Sequence, residues 1–244
     1  MSLNSLEEIA TYIVSEGKGI LAADESNPTC GKRFDSIGVE STEANRRDYR
    51  EMLFRASGMQ DNIGGVILFD ETIRQSSKDG TSLVDIIKDQ GALPGIKVDK
   101  GLQPLNESSE EVVTQGLEGL NERCKEYVAL GARFTKWRAV IRIGEGMPSD
   151  ECIDANMKAL ADYAKVVQDN GMVPMVEPEV LMEGSHSIED CFNASDRSLK
   201  SLFRHLNENG VNIKGTILKP SMVTSGSTAA EQASVDEVAK RTLE

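Results

Sequence analysis

Short apolar runs recur along the chain, and each is followed by a longer stretch whose apolar residues repeat at helical spacing. The runs predict strands at 19–23, 64–69, 95–98, 132–140, 172–176 and 215–218. The longer stretches predict helices at 44–55, 82–90, 110–130, 150–168 and 188–206, with a last helix at 234–244. Strands that alternate with helices indicate a parallel sheet covered by helices. A (β/α) barrel and an open doubly wound sheet both fit this alternation.

Charged side chains stand at the carboxyl ends of five of the six predicted strands. They are Asp24, Lys97 and Asp99, Lys136 and Arg138, Glu177 and Glu179, and Lys219. Strand side chains alternate between faces, so residues two apart point the same way. In a parallel barrel the inner face converges on a mouth at the carboxyl ends, where active sites are built. One such charge is typical of a chain that reaches solvent, but five strands favour a functional cluster and therefore the barrel.

Lys219 is the candidate nucleophile. It follows an apolar run and precedes Pro220, so we expect its surroundings to be dry and rigid. A lysine that attacks a carbonyl must be neutral, and nearby positive charge, here from Lys136, favours that form. Glu177 and Glu179 are candidates to move protons. Spacing alone leaves an ordinary strand-end lysine as an equal alternative.

Composition narrows the classes of partner. The 244 residues carry a formal net charge of −13, which disfavours nucleic acid and anionic membranes as partners. No apolar run approaches the roughly 20 residues of a membrane span. The four scattered cysteines predict free thiols in a reducing compartment, and two distant histidines argue against a histidine-rich metal site. No linker divides the chain, so residues 1–244 are predicted to form one domain.

Several segments resemble class I fructose-bisphosphate aldolases. They are GKGILAADES at 17–26, GGVILF at 64–69, Glu71-Thr72, GIKVDKG at 95–101, KWR at 136–138, VEPE at 176–179 and LKPSMVT at 218–224. The resemblance runs along essentially the whole chain. It implies a (β/α)8 barrel, a homotetramer, and reversible cleavage of fructose 1,6-bisphosphate in glycolysis and gluconeogenesis, with no metal or other cofactor.

The resemblance also implies a role for each matching residue. Lys219 forms the Schiff base, and Glu177 is the general acid and base that forms and dehydrates the carbinolamine. Asp24 takes the C4 hydroxyl proton, Lys136 balances charge and binds substrate, and Glu179 orients the lysines. The expected substrate or phosphate contacts are Lys97, Arg138, Arg33 and Arg46. For Arg33 and Arg46, an ordinary surface arginine is the alternative.

The sequence supplies about six β/α units where the family has eight, so we expect a barrel that is incomplete at the C-terminus. The family's later phosphate-binding loops and its tyrosine tail have no counterpart, and two sheet edges are expected to be open. Our hypothesis is that the sequence is a piece of a longer aldolase, and a natural short form is the alternative.

Three functions stay open: an active aldolase, an inactive binding or scaffold protein with cytoskeletal partners, and another Schiff-base lyase such as a transaldolase or deoxyribose-phosphate aldolase. The expected location is the cytoplasm, or a plastid if a transit peptide has been removed.

Overall fold

The computed structural model describes residues 3–107 and 109–244. Its helices and strands alternate along the chain. In order they are α1 (Leu6–Ile13), β1 (Gly19–Ala23), α2 (Asn27–Asp35), α3 (Glu43–Phe54), α4 (Met59–Asn62), β2 (Ile63–Leu68), α5 (Asp70–Ile73), α6 (Leu83–Asp89), β3 (Leu93–Lys97), β4 (Leu102–Pro104), β5 (Val112–Thr114), α7 (Leu120–Ala129), β6 (Phe134–Ile141), α8 (Asp150–Asp169), β7 (Val173–Val180), α9 (Ile188–Glu208), a 3-10 turn (Ile213–Gly215), β8 (Ile217–Leu218) and α10 (Val235–Leu243).

The main sheet is parallel and keeps chain order. Over the described ranges its six strands run β1-β2-β3-β6-β7-β8, and β4 pairs with β5 as a separate antiparallel ribbon. The sheet curls into part of a barrel, with β1 and β8 at its two edges. A curled parallel sheet brings the carboxyl ends of its strands toward one mouth. This geometry places the predicted strand-end charges on one surface.

Two apolar layers hold the sheet. The convex face packs against the helices, and there the fully buried Trp137 stacks on Tyr163 of α8 with ring centroids 5.3 Å apart. On the concave face, α1 covers Phe134 and its apolar neighbours near the amino ends of the strands. The Phe134 ring lies so close to Gly95 that a Cβ built there would stand 2.3 Å from it. The interior at this level is therefore filled, and the charged residues sit one level above.

The long helices begin at side-chain caps that the sequence provides. Ser149 accepts a hydrogen bond from the Cys152 amide at the start of α8, and Ser187 with Asp190 forms a capping box at the start of α9. These caps fix where the chain leaves the mouth and turns into each helix. Within the described residues, no helix has the length and apolar character needed to cross a membrane.

All six predicted strands are confirmed, with small shifts of their ends. One predicted helix is wrong in its first half: residues 110–130 were expected to be helical, but Val112–Thr114 forms β5 and the helix begins only at Leu120. The cause is local. The β-branched residues of β5 favour an extended chain, and Gly116 and Gly119 adopt positive φ values of 133° and 63°, which end it and start the helix. The four cysteines are buried and free, as predicted.

Candidate active site

The concave face of the sheet carries charged residues at its carboxyl end. Lys97 of β3 stands level with Lys136 of β6, and Arg138 of β6 stands level with Glu177 of β7. The predicted strand at 172–176 continues to Val180, so Glu177 and Glu179 lie within β7 and not beyond it. A side chain within a strand has its direction fixed by the pleat. These residues are therefore held toward the mouth by regular secondary structure.

Glu177 joins two lysines. Its Oε2 lies 3.0 Å from the Nζ of Lys136, and its Oε1 forms an ion pair with Lys219. On its other side, Lys136 Nζ lies 3.3 Å from Asp24 Oδ2. The structure thus brings Lys219, Glu177, Lys136 and Asp24 into one continuous chain of contacts. We call these four residues the lysine-carboxylate chain.

The central lysine of this chain is charged. Burial is the largest influence and lowers the pKa of Lys136, but the negative charges of Asp24 and Glu177 outweigh it, and the pKa is raised above its ordinary value. Only 9% of the Lys136 side chain is exposed. Glu177 thus has this buried ammonium on one oxygen and Lys219 on the other, so both lysines contact the same carboxylate.

Lys219 is positioned by its main chain. Its amide donates a hydrogen bond of 2.9 Å to the carbonyl of Val176, which extends the pairing of β8 with β7 and sets the side chain beside Glu177. The expectation that Lys219 has dry surroundings is wrong, because 45% of its side chain is exposed. The reason is its place in the sheet: β8 is an edge strand in the described part of the chain, so solvent reaches one side of it.

The remaining predicted residues of the mouth form pairs of opposite charge. Lys97 Nζ lies 2.8 Å from Asp99 Oδ1, and Arg138 forms an ion pair with Glu179 across β6 and β7. Glu179 therefore contacts an arginine here and not a lysine, so its role in orienting the lysines stays a prediction. Pairing offsets the cost of holding these charges close together. It also leaves cations at the mouth whose partners a substrate anion can displace.

Arg33 and Arg46 lie on α2 and α3 and bond to carboxylates there. Arg33 Nη1 lies 2.5 Å from Glu25 Oε1, and its side chain is largely exposed. Arg46 is buried and holds Glu71 through two hydrogen bonds of 2.8 and 2.6 Å, a bidentate pair. Arg46 is therefore not an ordinary surface arginine. Contact of either residue with a phosphate remains a prediction.

Two residues beside Asp24 were not singled out from the sequence. Glu25 receives the ion pair of Arg33, and Arg50 is fully buried against the chain around Asp24. Arg50 follows Arg46 by four residues, so both lie on one face of α3. That spacing was a signal for Arg50, although nothing in the sequence shows which loop α3 covers.

Within residues 3–107 and 109–244, no group of three or more histidine, cysteine, aspartate or glutamate side chains is arranged to hold a metal ion. The carboxylates of the mouth are instead bonded to lysine and arginine.

The chain matches a known protein family along nearly its whole length. The model of the family "Fructose-bisphosphate aldolase class-I" matches residues 5–244. The chain belongs to the class I fructose-bisphosphate aldolase family.

Individual aldolases of this family align with nearly the whole chain. A "Probable fructose-bisphosphate aldolase class 1" of Xanthomonas campestris is 55% identical over 243 residues, which are 100% of this chain and 73% of the relative. The cytosolic fructose-bisphosphate aldolase 4 of Arabidopsis thaliana is 50% identical over 96% of this chain and 60% of its own length. The chloroplastic aldolase 2 of Pisum sativum is 48% identical over 98% of this chain and 68% of its own.

The fold of this aldolase chain is likewise that of a solved relative. The aldolase of Plasmodium falciparum, solved in complex with TRAP and a small-molecule inhibitor, superposes with a TM-score of 0.96 at 46% identity. The match covers 98% of this chain and 69% of that chain. The predicted barrel family is confirmed, and the six strands present here correspond to part of the relative's barrel.

Proposed function

We propose that the chain catalyses the reversible cleavage of fructose 1,6-bisphosphate to dihydroxyacetone phosphate and glyceraldehyde 3-phosphate through a Schiff base on Lys219. The observation that carries the proposal is the lysine-carboxylate chain, which joins a partly exposed lysine to a buried acid, a buried cation and a second acid. Each of these groups has a task in such a reaction. Membership of the aldolase family supports the choice of substrate.

The first half of the reaction builds the imine. Glu177 first takes a proton from the Lys219 ammonium with which it forms an ion pair, and the neutral amine then adds to the ketone carbon, whose oxygen becomes the hydroxyl of a carbinolamine. Glu177, bonded to Lys219, then gives a proton to that hydroxyl, which leaves as water, and a protonated imine remains. Lys136 keeps a positive charge beside Glu177, so the carboxylate form of the acid is stabilised after the proton has left.

The second half breaks the carbon–carbon bond. Asp24 takes the proton of the C4 hydroxyl, the C3–C4 bond breaks, and glyceraldehyde 3-phosphate leaves with an aldehyde carbonyl. The electron pair of the broken bond passes to the protonated imine, which becomes an enamine. Protonation at C3 and hydrolysis of the imine release dihydroxyacetone phosphate and restore Lys219. Lys136 contacts both Asp24 and Glu177, so the two acids are held close to each other.

Phosphate binding is assigned to the cations around the lysine-carboxylate chain. Lys97 and Arg138 lie at the mouth, each paired with one carboxylate that a phosphate can replace. Arg33 and Arg46 are assigned to the same task from α2 and α3. Glu179 is assigned to orient the lysines, and its ion pair with Arg138 ties it to β6.

A turnover assay tests the proposal. The chain is expected to cleave fructose 1,6-bisphosphate, and Lys219→Met is expected to lose that activity, because methionine cannot add to a carbonyl. Lys240→Met, an exposed position on α10, is the matched control and should keep it. Faster cleavage of a pentose phosphate or of an unphosphorylated sugar would instead favour another Schiff-base lyase.

A scaffold function is the second candidate, because the Plasmodium relative was solved in complex with another protein. The partners proposed for this chain are cytoskeletal, and cosedimentation with actin that Lys219→Met leaves unchanged would support them. We further propose one domain over residues 1–244, a homotetramer, and a cytoplasmic location with the plastid as the alternative. The relatives include both cytosolic and chloroplastic enzymes.

A further inference from the structure

Asp24 lies just beyond the end of an edge strand. The pairing of β1 with β2 ends at Ala23 and Leu68, and β1 has no second neighbour in the described part of the sheet. Ladder hydrogen bonds therefore stop one residue before Asp24. A side chain that must take a proton at a defined place needs its backbone held by something else.

Arg50 of α3 supplies contacts at this position. Its Nε donates a hydrogen bond of 3.1 Å to the carbonyl of Ala23, and its Nη2 donates one of 2.6 Å to the carbonyl of Glu25. One planar guanidinium thus spans the residues immediately before and after Asp24. Because the donors of a guanidinium have a fixed geometry, two such bonds fix the orientation of the chain between them.

Arg50 is completely buried, so its contacts with the main chain are part of the packed interior. Its side chain is 0% exposed, and the nearest compensating charge is Glu25 Oε2 at 3.6 Å. Glu25 is in turn held by Arg33 and by the Tyr49 hydroxyl. A fully buried cation is costly unless it is paired and hydrogen-bonded. The hydrogen bonds of the buried Arg50 guanidinium hold the main chain at Ala23 and Glu25, on either side of Asp24.

We infer that Arg50 is a positioning residue for carbon–carbon cleavage, which holds the backbone around Asp24 so that its carboxylate meets the C4 hydroxyl. The inference rests on the proposed function of Asp24. Arg50 touches neither Lys219 nor Glu177 through its hydrogen bonds, which go to the main chain of β1 and the loop after it. Formation of the Schiff base should therefore be independent of Arg50, while cleavage should depend on it.

Arg50→Lys keeps the charge and removes the two-pronged geometry. We expect kcat for cleavage of fructose 1,6-bisphosphate to fall about 10- to 100-fold, because a displacement of about 1 Å at a reacting group has an effect of that size. The KM and the rate of borohydride trapping with dihydroxyacetone phosphate should stay near those of the unsubstituted chain. Arg55→Lys, at the exposed end of α3, is the matched control and should change neither.

A double-mutant cycle separates positioning from a general structural effect. In an Asp24→Asn background, adding Arg50→Lys should lower cleavage little further, since both changes act on one group. Equal losses in trapping and cleavage, or a full additive loss in the Asp24→Asn background, would overturn the inference. If Arg50→Lys does not fold, Arg50→Gln is used in its place. Loss of both trapping and cleavage in each folded variant would also overturn the inference. Failure of the unsubstituted chain to trap or cleave would contradict the proposed function, and this inference with it.

Discussion

The Lys136 ammonium lies 3.0 Å from the Glu177 carboxylate, across the neighbouring strands β6 and β7. Both side chains are buried, so their interaction is little screened by water. The same ammonium reaches Asp24. One cation therefore serves the acid assigned to imine formation and the acid assigned to bond cleavage, and its removal should affect both.

Lys136→Met tests this dual contact. Without the ammonium, Glu177 and the largely buried Asp24 lose the cation that contacts both, so the charge balance of both proton transfers is lost. We expect losses on the order of 10²-fold or more in imine trapping and in cleavage alike. Stopped-flow cleavage and timed borohydride quenching measure the two steps. Lys158→Met, on the exposed face of α8, is the control. A variant that loses only one of the two steps is incompatible with the dual role.

Gly95→Ala tests the packing beneath the site. The new methyl group would stand 2.3 Å from the ring of Phe134, in an interior that has no spare room. We expect a loss of about 1–3 kcal/mol in the free energy of unfolding, measured by urea denaturation. Replacing the ring with a smaller side chain, in the Gly95→Ala, Phe134→Leu double variant, should recover part of the lost free energy of unfolding. Gly19→Ala, where the nearest atom is 4.0 Å away, serves as the comparison. Equal losses at both glycines would refute the packing argument.

Glu71→Gln tests the partly buried pair with Arg46 through its pH dependence. The hydrogen bonds of Arg46 hold the pKa of Glu71 below its ordinary value, against the effect of burial. A carboxylate whose pKa is lower in the folded state stabilises that state above its unfolded pKa of about 4.3, and the contribution is lost as pH falls through the folded value. The variant should therefore be less stable at pH 7 by roughly 2 kcal/mol, the size of a hydrogen bond to a charged group.

The difference between the two proteins should shrink as the pH falls below about 4, since Glu71 then becomes protonated in the parent. Urea denaturation at a series of pH values measures it. Glu16→Gln, an exposed position on the loop after α1, should give no comparable change at any pH. If the difference in free energy of unfolding stays constant with pH, the charge of Glu71 does not contribute to the lost stability.

The strand positions and the charged inner face were open to prediction because a strand has a period of two. Lys136 follows the buried Phe134 and Thr135, Glu177 follows a buried run that ends at Val176, and alternation alone decides which way both point. Trp137, one residue from Lys136, must then face the helices, and it does so against Tyr163. The face of the sheet on which each strand residue lies could therefore be predicted from the sequence.

The features that escaped prediction depend on packing between distant elements. The exposure of Lys219 follows from β8 lying at a sheet edge, which no local pattern encodes. The contact of Arg50 with the carbonyls around Asp24 depends on where α3 crosses β1. The helical spacing before Leu120 also suited a strand and a loop, and Gly116 and Gly119 decided between them through their backbone angles.

Lys219 is the residue proposed to form a Schiff base with a ketose phosphate. Borohydride reduction in the presence of dihydroxyacetone phosphate, followed by peptide mapping with mass spectrometry, tests it most directly. We expect one stable adduct, on Lys219, that disappears in Lys219→Met and persists in Lys240→Met. An adduct on a different lysine, or none on the folded chain, would contradict it.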